Sequence, residues 1–113
     1  MLYMKNRLLS VPLVLCLASF AVSAGDDAAA LVYIKDFKFV PQHITIKVGQ
    51  TITWENREKR QYHSVWFEAL DEAEPEDYLF PEDIYERSFD KSGTFPYRCG
   101  PHPEMTGSVT VTE

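Results

Sequence analysis

Apolar and polar residues alternate with a period of two along most of the chain from Leu31 to its end. This period places successive side chains on opposite faces of an extended backbone, so it predicts β-strands with one buried face. The parity of the apolar positions changes at Asp36, which predicts a bend or a bulge there. Six or seven short strands are predicted, in the segments 31–39, 44–48, 52–54, 62–67, 85–89, 95–99 and 108–112. With almost no helical period, the pattern predicts a one-domain, all-β antiparallel sandwich.

Residues 68–86 interrupt this alternation and carry nine acidic side chains with no Lys or Arg. A helical turn is predicted over residues 68–74, and loop beyond it. Such a run is most often a solvated surface. It could also be a docking surface for a partner with a basic face, and the sequence leaves both interpretations open.

The first 24 residues have the composition of a cleaved secretory signal peptide: two basic residues near the start, a mostly apolar run over residues 8–22, and small residues before the cleavage point. A retained membrane anchor is the alternative, but the apolar run is shorter than the ~20 residues that a span needs. Residues 25–30 are predicted to be a flexible lead and residues 31–113 the folded domain. The sequence therefore predicts export to the periplasm, with no membrane span after cleavage.

Cleavage would leave 89 of the 113 residues, with nine basic and 17 acidic side chains and a net charge of −8 when His is neutral. Nothing in this chain is basic enough to indicate nucleic-acid binding. One cysteine, Cys99, would remain, and a single thiol in an exported domain cannot close a disulfide within the chain. Metal binding is one explanation for it, and a bound metal would stabilise so small a domain.

The segment 99–105 carries three side chains able to bind a soft metal: the thiol of Cys99, the imidazole of His102 and the thioether of Met105. Thiolate and thioether together favour copper over calcium, magnesium or manganese, whereas zinc has little use for a Met ligand. Pro101 and Pro103 stiffen this loop. A second imidazole would complete the two-His, one-Cys, axial-Met set of a blue-copper electron-transfer site.

His63 is the better of two candidates for that second imidazole. It begins the predicted strand 62–67 and shares a face with two apolar residues, Val65 and Phe67. A half-buried structural histidine would be the ordinary interpretation, but the Cys-His-Met loop downstream favours a ligand. His43 lies outside any such context and is predicted to be a surface residue.

The chain resembles the small blue-copper proteins, or cupredoxins, of the amicyanin-like and plastocyanin family. The residues that carry the resemblance are DFKFVP (36–41), VG (48–49), WEN (54–56), HSV (63–65) and GTFPYRC (93–99). The two-residue gaps of the segment 99–105 match the short ligand loop of the amicyanin-like members. The resemblance implies a Greek-key cupredoxin β-sandwich of about eight strands. It also implies one type 1 copper per chain, with His63, Cys99, His102 and Met105 as ligands.

The function that this implies is a soluble, monomeric one-electron carrier and not an enzyme. Its partners would be redox proteins with a basic docking face, such as a c-type cytochrome or a dehydrogenase. One alternative is a periplasmic copper chaperone or storage protein that uses the same ligands. Another is a metal-free β-sandwich binding module in which the acidic segment 68–86 is the working part.

Three residues depart from the family pattern. Ser64 stands where an Asn that ties the ligand loops together is usual, so a looser site is expected. Glu104 puts a carboxylate where an apolar residue is usual beside the second ligand histidine. Arg87 has the parity of Phe89 and is expected to lie at a sheet edge or to pair with an acid.

Overall fold

The computed structural model of the protein describes residues 30–113. The predicted signal peptide and nearly all of the predicted lead lie outside the described residues. Within residues 30–113, no helix is long and apolar enough to cross a membrane. The strands are β1 (Ala30–Lys35), β2 (Lys38–Val40), β3 (His43–Lys47), β4 (Thr51–Asn56), β5 (Ile84–Ser88), β6 (Gly93–Arg98) and β7 (Thr106–Thr112), and a 3-10 helix spans Glu68–Leu70.

The strands form two sheets, ordered β2-β1-β4-β5 and β3-β7-β6. The predicted all-β sandwich is therefore confirmed, with seven strands in the described part of the chain. The prediction that all neighbours are antiparallel is wrong, because β1 runs parallel to β4 and β3 runs parallel to β7. Period-two alternation says which face of a strand is buried but not the direction of its neighbour, so this error could not be avoided from the pattern.

The core between the sheets is rich in aromatic side chains. Trp54 is wholly buried and packs edge-on against Phe67 and Tyr97, with ring centroids 6.3 and 5.5 Å away. The Trp54 indole donates a hydrogen bond to the Tyr97 hydroxyl at 3.2 Å, and burial raises the pKa of Tyr97 to about 12. Tyr97 belongs to β6, so this core holds the strand that leads directly into the segment 99–105.

The parity change at Asp36 is a two-residue hairpin turn. Lys35 pairs with Lys38 across the β1–β2 hairpin, and both turn residues, Asp36 and Phe37, have positive φ, at 51° and 57°. These angles are those of a type I′ turn, whose twist suits a tight hairpin. A bulky residue rarely adopts positive φ. The turn holds the Phe37 ring at one pole of the sandwich.

Residues 62–67 do not form the predicted strand. They make isolated bridges, His63 with Leu79 and Trp66 with Arg98, to two different neighbours. Because the segment crosses between those neighbours, no continuous ladder forms. The predicted burial is nevertheless confirmed, since His63, Val65 and Phe67 are all buried.

Candidate metal centre

The segment 99–105 leaves β6 on the inward face of the sandwich. Tyr97 and Cys99 are buried while Arg98 between them is partly exposed, as the alternation predicts. The Cys99 amide donates to the Met105 carbonyl and the Met105 amide donates to the His102 carbonyl, both at 2.9 Å. These two bonds close the loop before β7 begins.

Three donor atoms converge at this pole. His63 Nδ1 lies 3.1 Å from His102 Nδ1 and 3.7 Å from Cys99 Sγ. The remaining distance, from Cys99 Sγ to His102 Nδ1, is 3.6 Å. His63 and His102 lie 36 and three positions from Cys99 in the sequence, and the fold brings the three side chains together. His43 lies elsewhere, on the exposed edge of β3, where its Nδ1 contacts Ser108 Oγ at 2.6 Å.

Burial differs among the four predicted ligands. His63 and Cys99 are wholly buried and Met105 is 3% exposed, whereas His102 remains partly exposed. The site is therefore closed on its protein side and approaches solvent through one imidazole.

Burial favours the uncharged forms of two of the donors, Cys99 and His63. Burial raises the pKa of the Cys99 thiol, against the hydrogen bond that the Ser64 amide donates to Sγ at 3.3 Å. Burial also lowers the pKa of His63, which favours the neutral imidazole that a metal requires. A thiolate at a wholly buried position needs a neighbouring cation. Two imidazole nitrogens, one sulfur and the thioether of Met105 from the same loop are donors that suit copper.

Glu58 completes the site and was not predicted from the sequence. Its Oε1 lies 3.2 Å from His63 Nε2 and accepts a hydrogen bond from the Phe37 amide at 2.7 Å. Burial acts to raise the pKa of Glu58, but the Phe37 amide and His63 outweigh it, so the pKa is lowered. If His63 Nδ1 held a metal, Nε2 would keep its hydrogen and donate it to this carboxylate. Glu58 would thereby fix the tautomer and orientation of the ring.

Asn56 is the second group that the sequence did not predict. It is wholly buried, and its Nδ2 donates to the carbonyls of Gln61 and Leu79, both at 2.8 Å. Its Oδ1 accepts from the Glu58 amide at 2.9 Å. One amide side chain thus fixes the three segments around His63. In the sequence, Asn56 stands between a strand and a charged connection, and that pattern does not indicate this role.

The departures from the family pattern have specific structural outcomes. Ser64 is buried, and its hydroxyl accepts a hydrogen bond from the Gly100 amide at 2.9 Å, so it does join the two ligand loops. Arg87 pairs with Glu72 at 2.6 Å and lies over the Phe67 ring, which confirms its pairing with an acid. Glu104 is exposed.

A two-sheet sandwich in which two imidazole nitrogens and a buried cysteine sulfur meet at one pole is the architecture of the small type 1 copper proteins. Residues 26–112 match the family of copper binding proteins described as the plastocyanin/azurin family. The chain belongs to this family.

The chain is also similar to individual members. It is 39% identical to the amicyanin of Paracoccus denitrificans over 95 residues, covering 81% of this chain and 72% of the relative. It is 39% identical to the plastocyanin of Scenedesmus fuscus over 100 residues, covering 80% and 96%. A solved structure of a reduced amicyanin mutant superposes with a TM-score of 0.69 at 35% identity, over 76% of this chain and 84% of that one.

Proposed function

We propose that this protein is a soluble carrier of single electrons, and that His63, Cys99, His102 and Met105 hold one type 1 copper. The observation that carries the proposal is the convergence of His63 Nδ1, His102 Nδ1 and Cys99 Sγ within 4.8 Å of one another at a largely buried point. A copper ion bound there takes up or gives away one electron by changing between Cu(I) and Cu(II).

The surrounding residues hold the donors in one arrangement in both oxidation states. His63 is fixed by Glu58 and by its backbone bridge to Leu79, and Cys99 Sγ accepts the Ser64 amide hydrogen. Because these partners are protein groups and not water, little rearrangement accompanies a change of charge. Met105, buried at the end of the loop, is the weak axial ligand in this proposal. The partly exposed edge of His102 is the point where an electron enters or leaves.

The alternative is a copper chaperone or store that uses the same donors. Two observations favour the carrier: the described residues contain a single Met, and two of the four ligands are wholly buried. A chaperone must release its metal to a partner, which wholly buried ligands hinder.

The same convergence of donors disfavours a metal-free binding module. With four protein donors, no position is left open for a substrate, so we propose a carrier and not an enzyme.

The proposed partners are redox proteins with a basic docking face, such as a c-type cytochrome or a dehydrogenase, met in the periplasm by a monomer. The acidic segment 68–86 supports this, although part of its charge is used within the protein. Glu72 pairs with Arg87, and Glu68 lies 3.5 Å from Arg98. The acids free to attract a partner are therefore those further along the segment.

Repeated redox cycling distinguishes the carrier from the chaperone. The copper-loaded protein is reduced and reoxidised many times with a c-type cytochrome in the presence of a copper chelator. A carrier should exchange electrons rapidly and retain its copper throughout. Slow exchange, together with transfer of copper to the chelator in the reduced state, would favour the chaperone.

A further inference from the structure

Arg98 stands directly before Cys99 and is the last residue of β6. Its backbone is paired on both sides, with Thr106 of β7 and with Trp66. The Trp66 amide donates to the Arg98 carbonyl at 2.8 Å, and the Arg98 amide donates to the Trp66 carbonyl at 3.0 Å. The backbone at Arg98 is therefore anchored between two neighbouring segments, next to a predicted ligand.

The guanidinium group of Arg98 turns back over the segment 99–105. Its Nη2 donates a hydrogen bond to the Gly100 carbonyl at 3.2 Å, and its Nη1 lies 3.5 Å from Glu68 Oε2. The guanidinium carbon lies 4.6 Å from the centroid of the Trp66 ring. The group therefore joins the segment 99–105 to the 3-10 helix and to the segment 62–67.

Side chains hold both backbone polar groups of Gly100. Its amide donates to Ser64 Oγ at 2.9 Å, and its carbonyl accepts the hydrogen bond from Arg98. Gly100 is the first of the two residues between Cys99 and His102. The two bonds therefore restrict how these two predicted ligands can move relative to each other.

Stability alone does not account for the placement of Arg98. Its side chain is 29% exposed and that of Glu68 is 56% exposed, and an ion pair between such groups stabilises a protein little. The Nε atom of Arg98 is buried without a hydrogen-bond partner among the described residues, and an unpaired buried donor opposes folding. The positive charge does affect the neighbouring sulfur: burial raises the pKa of the Cys99 thiol, and the charge of Arg98 acts against that rise.

We propose that Arg98 is a positioning residue of the copper centre and that its charge raises the reduction potential. The hydrogen bond to the Gly100 carbonyl holds the turn between Cys99 and His102. On reduction of Cu(II) to Cu(I) by one electron, the positive charge of the site falls, so a nearby cation favours the reduced state. This inference rests on the proposed electron-carrier function and adds a residue to it.

Three substitutions of Arg98 separate its charge from its hydrogen bond. Arg98→Leu removes both, and Arg98→Gln removes the charge but keeps an N–H donor. Voltammetry of the copper-loaded proteins should show a lower potential than the wild type in both variants. Arg98→Lys keeps the charge and should keep the potential close to that of the wild type. Arg98→Gln also keeps the charge test available if Arg98→Leu does not fold.

The copper-free protein tests the positioning role without the metal. Amide hydrogen exchange followed by NMR reports the opening of the segment 99–105 through the buried Gly100 amide. This amide should exchange about tenfold faster in Arg98→Leu than in the wild type, and less so in Arg98→Gln. A tenfold change corresponds to about 1.4 kcal/mol, which is close to the value of one hydrogen bond from a charged donor.

Arg87→Leu is the matched control. The Arg87 side chain is 26% exposed and also pairs with an acid of the segment 68–86, Glu72, but its guanidinium lies over the Phe67 ring. This control makes the same change in net charge as Arg98→Leu. It should shift the potential much less and leave the exchange of the Gly100 amide unchanged.

A wild-type potential in Arg98→Leu or Arg98→Gln would overturn the inference, and so would an equal fall in Arg98→Lys or in the Arg87→Leu control. Unchanged exchange of the Gly100 amide in Arg98→Leu would overturn the positioning role. Failure of the electron-carrier proposal is distinguishable, because it would show as absent copper uptake or absent redox cycling in the wild type. The exchange experiment on the copper-free protein would give its answer in either case.

Discussion

Replacing Glu58 by Gln should raise the reduction potential of the copper-loaded protein. The carboxylate is 9% exposed and lies 3.2 Å from His63 Nε2, on the far side of the ring from the converging donor atoms. A negative charge there stabilises the more positive Cu(II) state, so a neutral amide of the same shape removes that preference. Gln can still contact His63 and the Phe37 amide, so the local geometry is retained.

The size of the shift follows from distance. Adding the width of the imidazole ring and a metal–nitrogen bond to 3.2 Å places the lost charge at roughly 7 Å from the metal. Coulomb's law with an effective dielectric constant of about 20 then gives about 2 kcal/mol. For a one-electron couple this corresponds to a rise of roughly 100 mV.

Protein-film or solution voltammetry of the two proteins at neutral pH measures this shift. The control is Glu55→Gln, which removes a carboxylate that pairs with Arg57 and is one-third exposed, and which should move the potential far less. The visible colour should persist in both variants. An unchanged or lowered potential in Glu58→Gln would refute the electrostatic role assigned to this carboxylate.

Other substitutions and conditions have equally definite outcomes. Met105→Leu should keep copper and colour but raise the potential in voltammetry, because a weak donor to Cu(II) is lost, and His43→Ala should change neither property. Ser64→Ala should lower the free energy of unfolding in urea by roughly 1 to 3 kcal/mol, since the buried Gly100 amide loses its acceptor. A variant as stable as the wild type would show that another group or water satisfies that amide.

The ligand loop could be predicted because its chemistry is local. The two-residue gaps among Cys99, His102 and Met105 bring three soft donors into one short loop, and the parity of β6 turns Cys99 inward without reference to any other part of the chain. His63 was harder to predict, since its segment is not a strand. His63, Val65 and Phe67 are buried as the alternation predicts, but Ser64 between them is buried as well, so the pattern describes this segment only in part.

The remaining features depend on contacts between distant segments. Glu58 lies in a run of charged residues that has the composition of a solvated connection, and only the folded chain brings it to His63. The role of Asn56 likewise follows from the bridge between His63 and Leu79, 16 positions apart. The parallel pairing of β1 with β4 also depends on contacts between distant segments. The pattern within one strand does not indicate which other strand it pairs with, or in which direction.

The visible spectrum of the copper-loaded protein and of Cys99→Ser tests the central claim most directly. The wild-type domain should bind one copper per chain and show intense charge-transfer absorption from the Cys99 thiolate in its oxidised form. Cys99→Ser should lose this absorption while its far-ultraviolet circular dichroism still shows the folded β-sandwich. An equally coloured, folded Cys99→Ser protein, or a wild-type domain that binds no copper, would contradict the account.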